Sequence, residues 1–487
     1  MSMHTPETTY ILYGLNYLGA VANMVYPTLS EGELLKTLSN TDSKVFFVLD
    51  VVIGKVAGAI NKITIPCIAL PIDGSMPLPI KMGYRLKNAG KKNSTKKVIA
   101  YPEFIKKGVG VELGEPFADS KAPAVIVYTS GTTGEPKGVV LNNDCMNDMG
   151  LQDYNGLVEF GRQKSFFLIL PPFIGFGITQ LHLLTAFGVT SILHVILDPD
   201  SIIKQLFKKN PYIFVTGPAT APVFAKHNPQ DLSHLKYFIG GGGTLTDQQT
   251  SDINVLLKKC NSNASYSNGY GMTETSSLLC MSANEIGKPG SVGIPIIDTV
   301  VKIVDPDTLK ELSYGETGEL WFNTPNLMVG YYKNTKATDE IVVTDENGLK
   351  WIRTGDLGTV DEDGFVFITG RMKRVFVTRS SDNSVLKLFP QRVEEVMMSA
   401  EDVEECGVIV REDEKRVNVG IAFVMLKNDD DYREEAARKE FCARLTAFAQ
   451  TELPEHMLPS EIRIIDKMPI TPSGKIDYRE LEKEYSK

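Results

Sequence analysis

The sequence lacks a basic excess. Its 487 residues carry 51 Lys and Arg against 60 Asp and Glu, a formal net charge of -9. No basic stripe offsets that balance, so a nucleic-acid binder has no support. The negative charge reads as a solvated surface. Paired cysteines are lacking too. Cys67, Cys145, Cys260, Cys280, Cys406 and Cys442 form no C-x-x-C pair and stand near no His pair at zinc spacing. Dispersed thiols in a chain this long fit a reducing compartment better than a disulfide scaffold, so a cytoplasmic protein is expected. The start lacks a basic leader. Its apolar stretch, Tyr10 to Tyr26, follows Glu7 and contains asparagines, unlike a signal peptide. No unbroken apolar run suits a membrane helix, so no integral membrane segment is expected. The longest uncharged segment, Ser165 to Leu197, is cut by Pro171-Pro172, glycines, Gln180, His182 and His194. It reads as a buried strand, a turn, a packed helix and a second strand.

What is present is globular composition, 43% hydrophobic and 23% charged. The length suggests about three domains or subdomains. Short β-branched runs such as Val45–Leu49, Ser191–Leu193 and Tyr212–Val215 read as buried strands. Helical stretches lie between such runs, as at Ser201–Lys209 and Asp247–Lys259. That alternation predicts α/β structure with largely parallel sheets. From Val300 to Thr369 closely spaced strands are punctuated by Asp305-Pro306-Asp307, Glu346-Asn347-Gly348 and Asp361-Glu362-Asp363-Gly364, which predicts an antiparallel, hairpin-rich subdomain. After Gly370 come a basic cluster, Arg371 to Arg374, a Ser-rich loop, a helix over Pro390–Ala400, a strand and a charged helix over Asp431–Glu452. A domain boundary is expected near residues 370–373.

The most informative stretch runs from Ala124 to Gly138. An apolar strand enters a loop of small hydroxyl residues and glycines with one lysine. Glycines permit close backbone approach. Backbone N–H groups and the hydroxyls of Thr129, Ser130, Thr132 and Thr133 can then surround phosphate oxygens, with Gly131 and Gly134 giving room and Lys137 adding a point charge. The spacing is not the Walker pattern, which needs a Lys-[Ser/Thr] pair after the second glycine. Ser473-Gly474-Lys475 fails that pattern as well, because Ile476 follows the lysine.

This string resembles the phosphate-loop signature of the adenylate-forming (ANL) superfamily, which includes acyl- and aryl-CoA synthetases, adenylation domains of peptide synthetases and beetle luciferases. Four more segments match in the family's order: Gly240–Leu245, Asn268–Thr275, Arg353–Leu357 with Gly370-Arg371, and Pro472–Ile476. The resemblance implies a large N-terminal domain of α/β sheets plus a β-rich subdomain over 1–371. A small mobile α+β C-terminal domain follows over 372–487. It implies two half-reactions: a carboxylate attacks Mg·ATP to give acyl-AMP and pyrophosphate, and a thiol then takes the acyl group. ATP, Mg²⁺ and coenzyme A are the implied cofactors. By the same resemblance, Tyr270 stacks on adenine, with Asn268 at the adenine edge. Gly241, Gly242 and Gly271 let the backbone approach. Thr273 meets the α-phosphate and Glu274 holds Mg²⁺. Asp356 takes the ribose hydroxyls, and Arg371 the ribose and phosphates. Lys475 is the mobile catalytic lysine and Lys373 the hinge.

Phe173, Ile174 and Gly175, within the uncharged segment Pro171–Gly177, resemble the acyl pocket of the acyl-CoA synthetases. Amino-acid-activating domains usually place an Asp just after the aromatic residue, and an unpaired buried ammonium is costly. An apolar carboxylic acid, aliphatic or aryl, is therefore expected. The chain departs from the family twice. The stretch Arg371 to Cys406 holds no glycine, and its loop Thr378–Lys387 is about five residues longer than in the family by alignment of the flanking segments. Either Lys387 or Arg379 meets an anionic cofactor there, or the loop is simply solvated. The family match also begins early, with Thr5–Ala20 resembling a stretch that relatives reach only after several dozen residues. Apolar surface around residues 10–26 is then expected to be exposed, which favours a homodimer. Two other readings stay open: an acyl-AMP ligase that loads a carrier-protein pantetheine, and an inactive nucleotide- or acyl-binding homologue.

Overall fold

The computed structural model describes residues 1–87, 97–129, 136–154, 156–196, 198–217, 220–243, 245–379, 385–428, 432, 434–471 and 475–485. It is mixed α/β, with a large N-terminal domain and a small C-terminal one. The main sheet has seven strands in the order Ile294–Pro295, Cys280–Met281, Tyr266–Tyr270, Tyr237–Gly241, Ile213–Thr216, Ser165–Leu168 and Thr190–Leu193. Its last five strands pair in parallel, while the two short edge strands run antiparallel. The central strands lie in the interior, with Phe166, Phe167, Phe214 and Phe238 fully buried, whereas Thr190–Leu193, expected to be buried over Ser191–Leu193, is exposed to half-buried because it forms an edge of the sheet. Buried parallel strands need apolar residues in succession, which is why such short runs are legible in the sequence.

The connecting helices end where their chemistry says. Helix Pro199–Lys209 is capped by Asp198, whose carboxylate accepts from the Ser201 N–H, and closes on Asn210 in the left-handed region. Helix Asp247–Lys259 starts with a reciprocal capping box between Thr246 and Gln249. The segment 165–197 folds as strand Ser165–Leu168, helix Gly175–Ala186 and strand Thr190–Leu193, as its sequence predicts. Among the described residues no helix is long and apolar enough to cross a membrane. A second sheet joins Ala22–Met24, Pro123–Tyr128, Gly138–Asn142 and Gly330–Tyr331. It sets Tyr331 beside Val139, next to the end of the glycine-rich loop.

The β-rich subdomain is antiparallel, as expected: Val300–Val304, Gly318–Asn323, Lys350–Val360 and Val342–Thr344, with Val366–Arg371 paired onto Lys350–Val360. Each turn signal is an aspartate accepting backbone N–H groups ahead of it. Asp305 serves Asp307 and Thr308, Asp345 serves Asn347 and Leu349, and Asp361 serves Asp363 and Phe365. The C-terminal part has its own core around Leu388, Val393, Val408, Val424, Phe441 and Leu445. Two long antiparallel strands, Val403–Asp413 and Val417–Leu426, stand where the sequence reading gives one. The following helix covers Glu435–Glu452. Tyr10, Leu18 and Val21 are open to solvent, but Ala22, Met24, Val25 and Tyr26 are buried in the core, so the exposure expected for residues 10–26 holds only for their first part.

One buried carboxylate organises the subdomain. Glu319 accepts from Trp321 Nε1 at 2.8 Å, from Arg353 Nη2 at 3.0 Å and from the Gly355 N–H at 3.1 Å. It thereby holds the Thr354-Gly355 turn that precedes Asp356. Replacing Glu319→Ala leaves these donors unpaired. The expected loss is about 2–3 kcal/mol of unfolding free energy, read by denaturant melts. A change within experimental error would contradict this account.

Candidate nucleotide and acid site

A cavity of about 190 Å³ opens among residues at the carboxyl ends of the parallel strands. Open α/β sheets offer their ligand crevice there. Close approach shapes it. A Cβ on Gly240 would lie 1.9 Å from the Tyr266 hydroxyl, and one on Gly271 would lie 1.7 Å from the Ser277 carbonyl oxygen. No L side chain fits at either place. A Cβ on Gly175 would lie 2.9 Å from Thr273 Cγ2. The absence of a side chain at Gly175 lets the start of helix Gly175–Ala186 approach the turn Thr273–Thr275. Ile174, Gly175, Gly241, Gly242, Tyr270, Gly271, Thr273 and Lys475 all line the one cavity.

Two buried carboxylates flank it. Tyr270 donates its hydroxyl to Asp356 Oδ2 at 2.7 Å, and Arg371 Nε meets Asp356 Oδ1 at 2.8 Å. Asp356 and Arg371 face each other across paired strands. The Asp356 charge raises the Arg371 pKa, and burial followed by that same charge pushes the Tyr270 phenol well up. The second carboxylate, Glu274, accepts from the Tyr331 hydroxyl at 2.6 Å. Lys137 lies over the Tyr331 ring, 4.3 Å from its centroid. Tyr331 is raised by burial and then by Glu274.

Lys475 precedes Ile476, which bridges to Ile470. Its side chain keeps accessible surface toward the cavity, while protein surrounds it at longer range. That desolvation lowers its pKa, with Arg371 repulsion adding and Asp356 and Glu274 opposing. Lys475 is thus within electrostatic reach of both carboxylates. Thr129 closes the base of the glycine-rich loop through its N–H to the Lys137 carbonyl, 3.0 Å. Its buried hydroxyl has no partner among the described residues, as suits a donor waiting for an oxyanion. Among the described residues no group of three or more His, Cys, Asp or Glu could hold a metal ion. A single carboxylate such as Glu274 suits Mg²⁺ that arrives with phosphate oxygens and water.

Some expected residues fall elsewhere. Ser130, Gly131, Thr132, Thr133 and Gly134 lie outside the described residues, as do Thr244, Pro472, Ser473, Gly474 and the loop tip 380–384. Phe173 does not line the cavity. It is a core residue, 4% exposed, packed on the Tyr26 ring at 5.0 Å between centroids. Tyr26 itself faces the cavity, and Phe176, in the first turn of helix Gly175–Ala186, takes the place expected of Phe173. Asn268 lies opposite Gly240, with its backbone bonded to Ser282, and is not in the cavity wall. Lys373 falls in the 3-10 turn Met372–Arg374, directly after the last strand of the subdomain. Arg379 and Lys387 belong to the paired strands Phe376–Arg379 and Val385–Leu388, with Lys387 close enough to Asp305 to lower its pKa.

Sequence reasoning missed Tyr331, Asp153 and Gln180. Nothing in the spacing around Gly330-Tyr331 links it to Glu274, since the pairing runs through a sheet. Asp153 sits near the end of helix Asn143–Tyr154 and reads as an ordinary polar residue. It is buried against the cavity, and Gln180 Nε2 donates to its Oδ2 at 3.0 Å. Burial pushes its pKa up to about 7.

The AMP-binding enzyme family model matches residues 1–332, and the AMP-binding enzyme C-terminal domain model matches residues 392–475. A long-chain-fatty-acid–CoA ligase of Bacillus subtilis (strain 168) is 27% identical over 503 residues, covering 99% of this chain and 84% of that protein. A 4-coumarate–CoA ligase 2 of Nicotiana tabacum is 24% identical over 494 residues, covering 98% and 82%. The solved o-succinylbenzoate CoA synthetase of Bacillus subtilis, in complex with its acyl-adenylate, superposes with a TM-score of 0.75 at 22% identity, covering 99% of this chain and 86% of that one. An amide bond synthetase from Marinactinospora thermotolerans superposes at 0.77 with 19% identity, covering 99% and 88%. These two superpositions show the fold.

Asp153 has a consequence for stability. Its folded pKa, about 7, exceeds the ordinary 3.8. Its contribution is therefore full below about pH 4 and is lost as pH rises through 7. Asp153→Asn escapes that loss. The variant is expected to gain on the wild type between pH 5 and pH 7 by up to about 1.4 kcal/mol per pH unit, and then to level off. A stability difference flat across that range, in paired thermal or denaturant melts, rules the account out.

Proposed function

Because this chain belongs to the AMP-binding enzyme family and its relatives by sequence are named CoA ligases, we propose that it activates an apolar carboxylic acid to an acyl-AMP and passes the acyl group to coenzyme A. The observation that carries the reading is the single cavity lined by Tyr270, Thr273 and Lys475 at one part and by apolar side chains at another. It joins a polar, charged reaction centre to a pocket suited to an acid's body.

In the first half-reaction a carboxylate oxygen attacks the α-phosphorus of ATP, and the bond to the pyrophosphate oxygen breaks. Catalysis is positioning plus charge stabilisation. Lys475 bridges the carboxylate and the phosphate, and the Thr273 hydroxyl donates to the α-phosphate. Tyr270 offers its ring to adenine. Asp356 takes the ribose hydroxyls on lone pairs not used by Tyr270 and Arg371, and Arg371 lies beside the phosphates. The loop from Thr129 to Lys137 receives the outer phosphates, and Gly241 and Gly242 bring backbone close to the nucleotide. Glu274 would hold Mg²⁺, which would supply neutralising charge to the phosphates. In the second half-reaction the thiol sulfur attacks the acyl carbon and AMP leaves. The relatives named CoA ligases support coenzyme A as acceptor. The division at 371/372, with Lys373 as the hinge between the half-reactions, belongs to the same proposal.

Fatty and aryl acids should drive pyrophosphate release from Mg·ATP, and coenzyme A should raise turnover. Lys475→Ala should lower the adenylation rate by on the order of 100- to 1,000-fold with an unchanged melting curve. Full activity in that variant, or a preference for α-amino acids, would sink the proposal.

A further inference from the structure

The acid cavity is not uniformly apolar. Val158, Phe160, Phe166 and Phe176 form part of its wall, yet Asp153 and Gln180 face it as well. Both are more than nine-tenths buried, at 6% and 4% exposed. Gln180 Nε2 uses one donor on Asp153 Oδ2, and no ion pair among the described residues includes Asp153. A buried carboxyl without a cation is expensive. Burial holds its pKa near neutrality, so the group is neither fixed as a charge nor fixed as an acid.

Asp153 and Gln180 line the same cavity as Thr273 and Lys475. Gly175 touches Thr273 at the reaction centre. Gln180 lies five residues further along the same helix, about 7.5 Å along its axis. Phe176, whose ring approaches Gly241 at the strand end, lies on the same helix face one turn before Gln180. An acid with its carboxylate at Thr273 and Lys475 therefore points its tail at Asp153 and Gln180.

We propose that Asp153 and Gln180 form a specificity subsite for a hydroxyl at the far end of the acid, so that the preferred substrate is an ω- or ring-hydroxylated acid with an apolar body. This rests on the acid-activating reading above. A hydroxyl both donates and accepts, so it pairs with Asp153 in either protonation state. A distal carboxylate would face Asp153 as a second negative charge. A distal ammonium would lose its hydration among aromatic walls for one carboxylate contact. A purely apolar tail would cover the Asp153 carboxyl with no partner beyond the Gln180 amide.

The test compares kcat/KM for pyrophosphate release by the full chain within two matched pairs. One pair is 3-(4-hydroxyphenyl)propanoic and 3-phenylpropanoic acid; the other is 8-hydroxyoctanoic and octanoic acid. The hydroxylated member of at least one pair should be favoured by about tenfold or more. The double variant Asp153→Leu with Gln180→Met removes both polar partners together, and it should bring that ratio to unity or reverse it. Equal use of both members in both pairs overturns the subsite while leaving the acid-activating reading intact. So does a ratio unchanged in the double variant. If no acid releases pyrophosphate, that reading fails, and calorimetric binding of the same pairs still decides the subsite: a matching preference supports it, and equal or absent binding overturns it. Should the double variant fail to fold, the wild-type ratios alone decide between the two outcomes.

Discussion

The structure around the cavity depends on the partners that meet Asp356 away from water. A carboxylate withdrawn from solvent needs compensation from donors and opposite charge. Here the Tyr270 hydroxyl takes one oxygen and the Arg371 guanidinium the other. These residues come from three separate elements: the end of a strand in the main sheet, the long strand of the β-rich subdomain, and the last strand before the C-terminal part. Neutralising one charge therefore fixes the subdomain against the main sheet. Glu319 stands behind it as a second buried carboxylate, and through Arg353 and the Gly355 N–H it shapes the turn that delivers Asp356.

The charges around the cavity run against the balance of the whole chain. The protein is net negative, yet Lys137, Arg371 and Lys475 converge where Asp356 and Glu274 are already engaged by tyrosine hydroxyls. Each engaged carboxylate keeps its lone pairs in a defined direction, and the three cations leave a local excess of positive charge. In a partly desolvated cleft such charges act over short distances more strongly than on the surface. An anionic acid and a polyphosphate fit that field, and the local field counts for more than the overall charge.

The cavity wall and the hydrophobic core share residues. Tyr26, Phe166, Ile239, Leu278 and Met281 belong both to the main hydrophobic core and to the cavity wall. The pocket is thus a gap in the core and is not an added surface groove. Its shape is as rigid as the packing around it, and the buried Asp153 interrupts that packing with a titratable group.

The glycine-rich loop, the tyrosine and acidic residues after Gly269, and the lysine near the end all stand in short contiguous segments, so the motifs that carry the family were legible in the chain. So were the strand-and-helix alternation and the aspartate-capped turns, because each depends on neighbours within a few residues. The hydroxyl that serves Glu274 was not legible, since Tyr331 reaches it across a sheet formed by strands nearly two hundred residues apart. Phe173 looked like a pocket residue and became core, while Phe176 and Gln180 turned inward, because the start of one helix sets which face meets the cavity. Local pattern along the chain was enough for the family and for the broad order of the elements. Which apolar residues bound the acid's space, and that a neutral-range carboxyl lies at its end, emerged only on packing, because burial is a property of the packed whole and not of any segment.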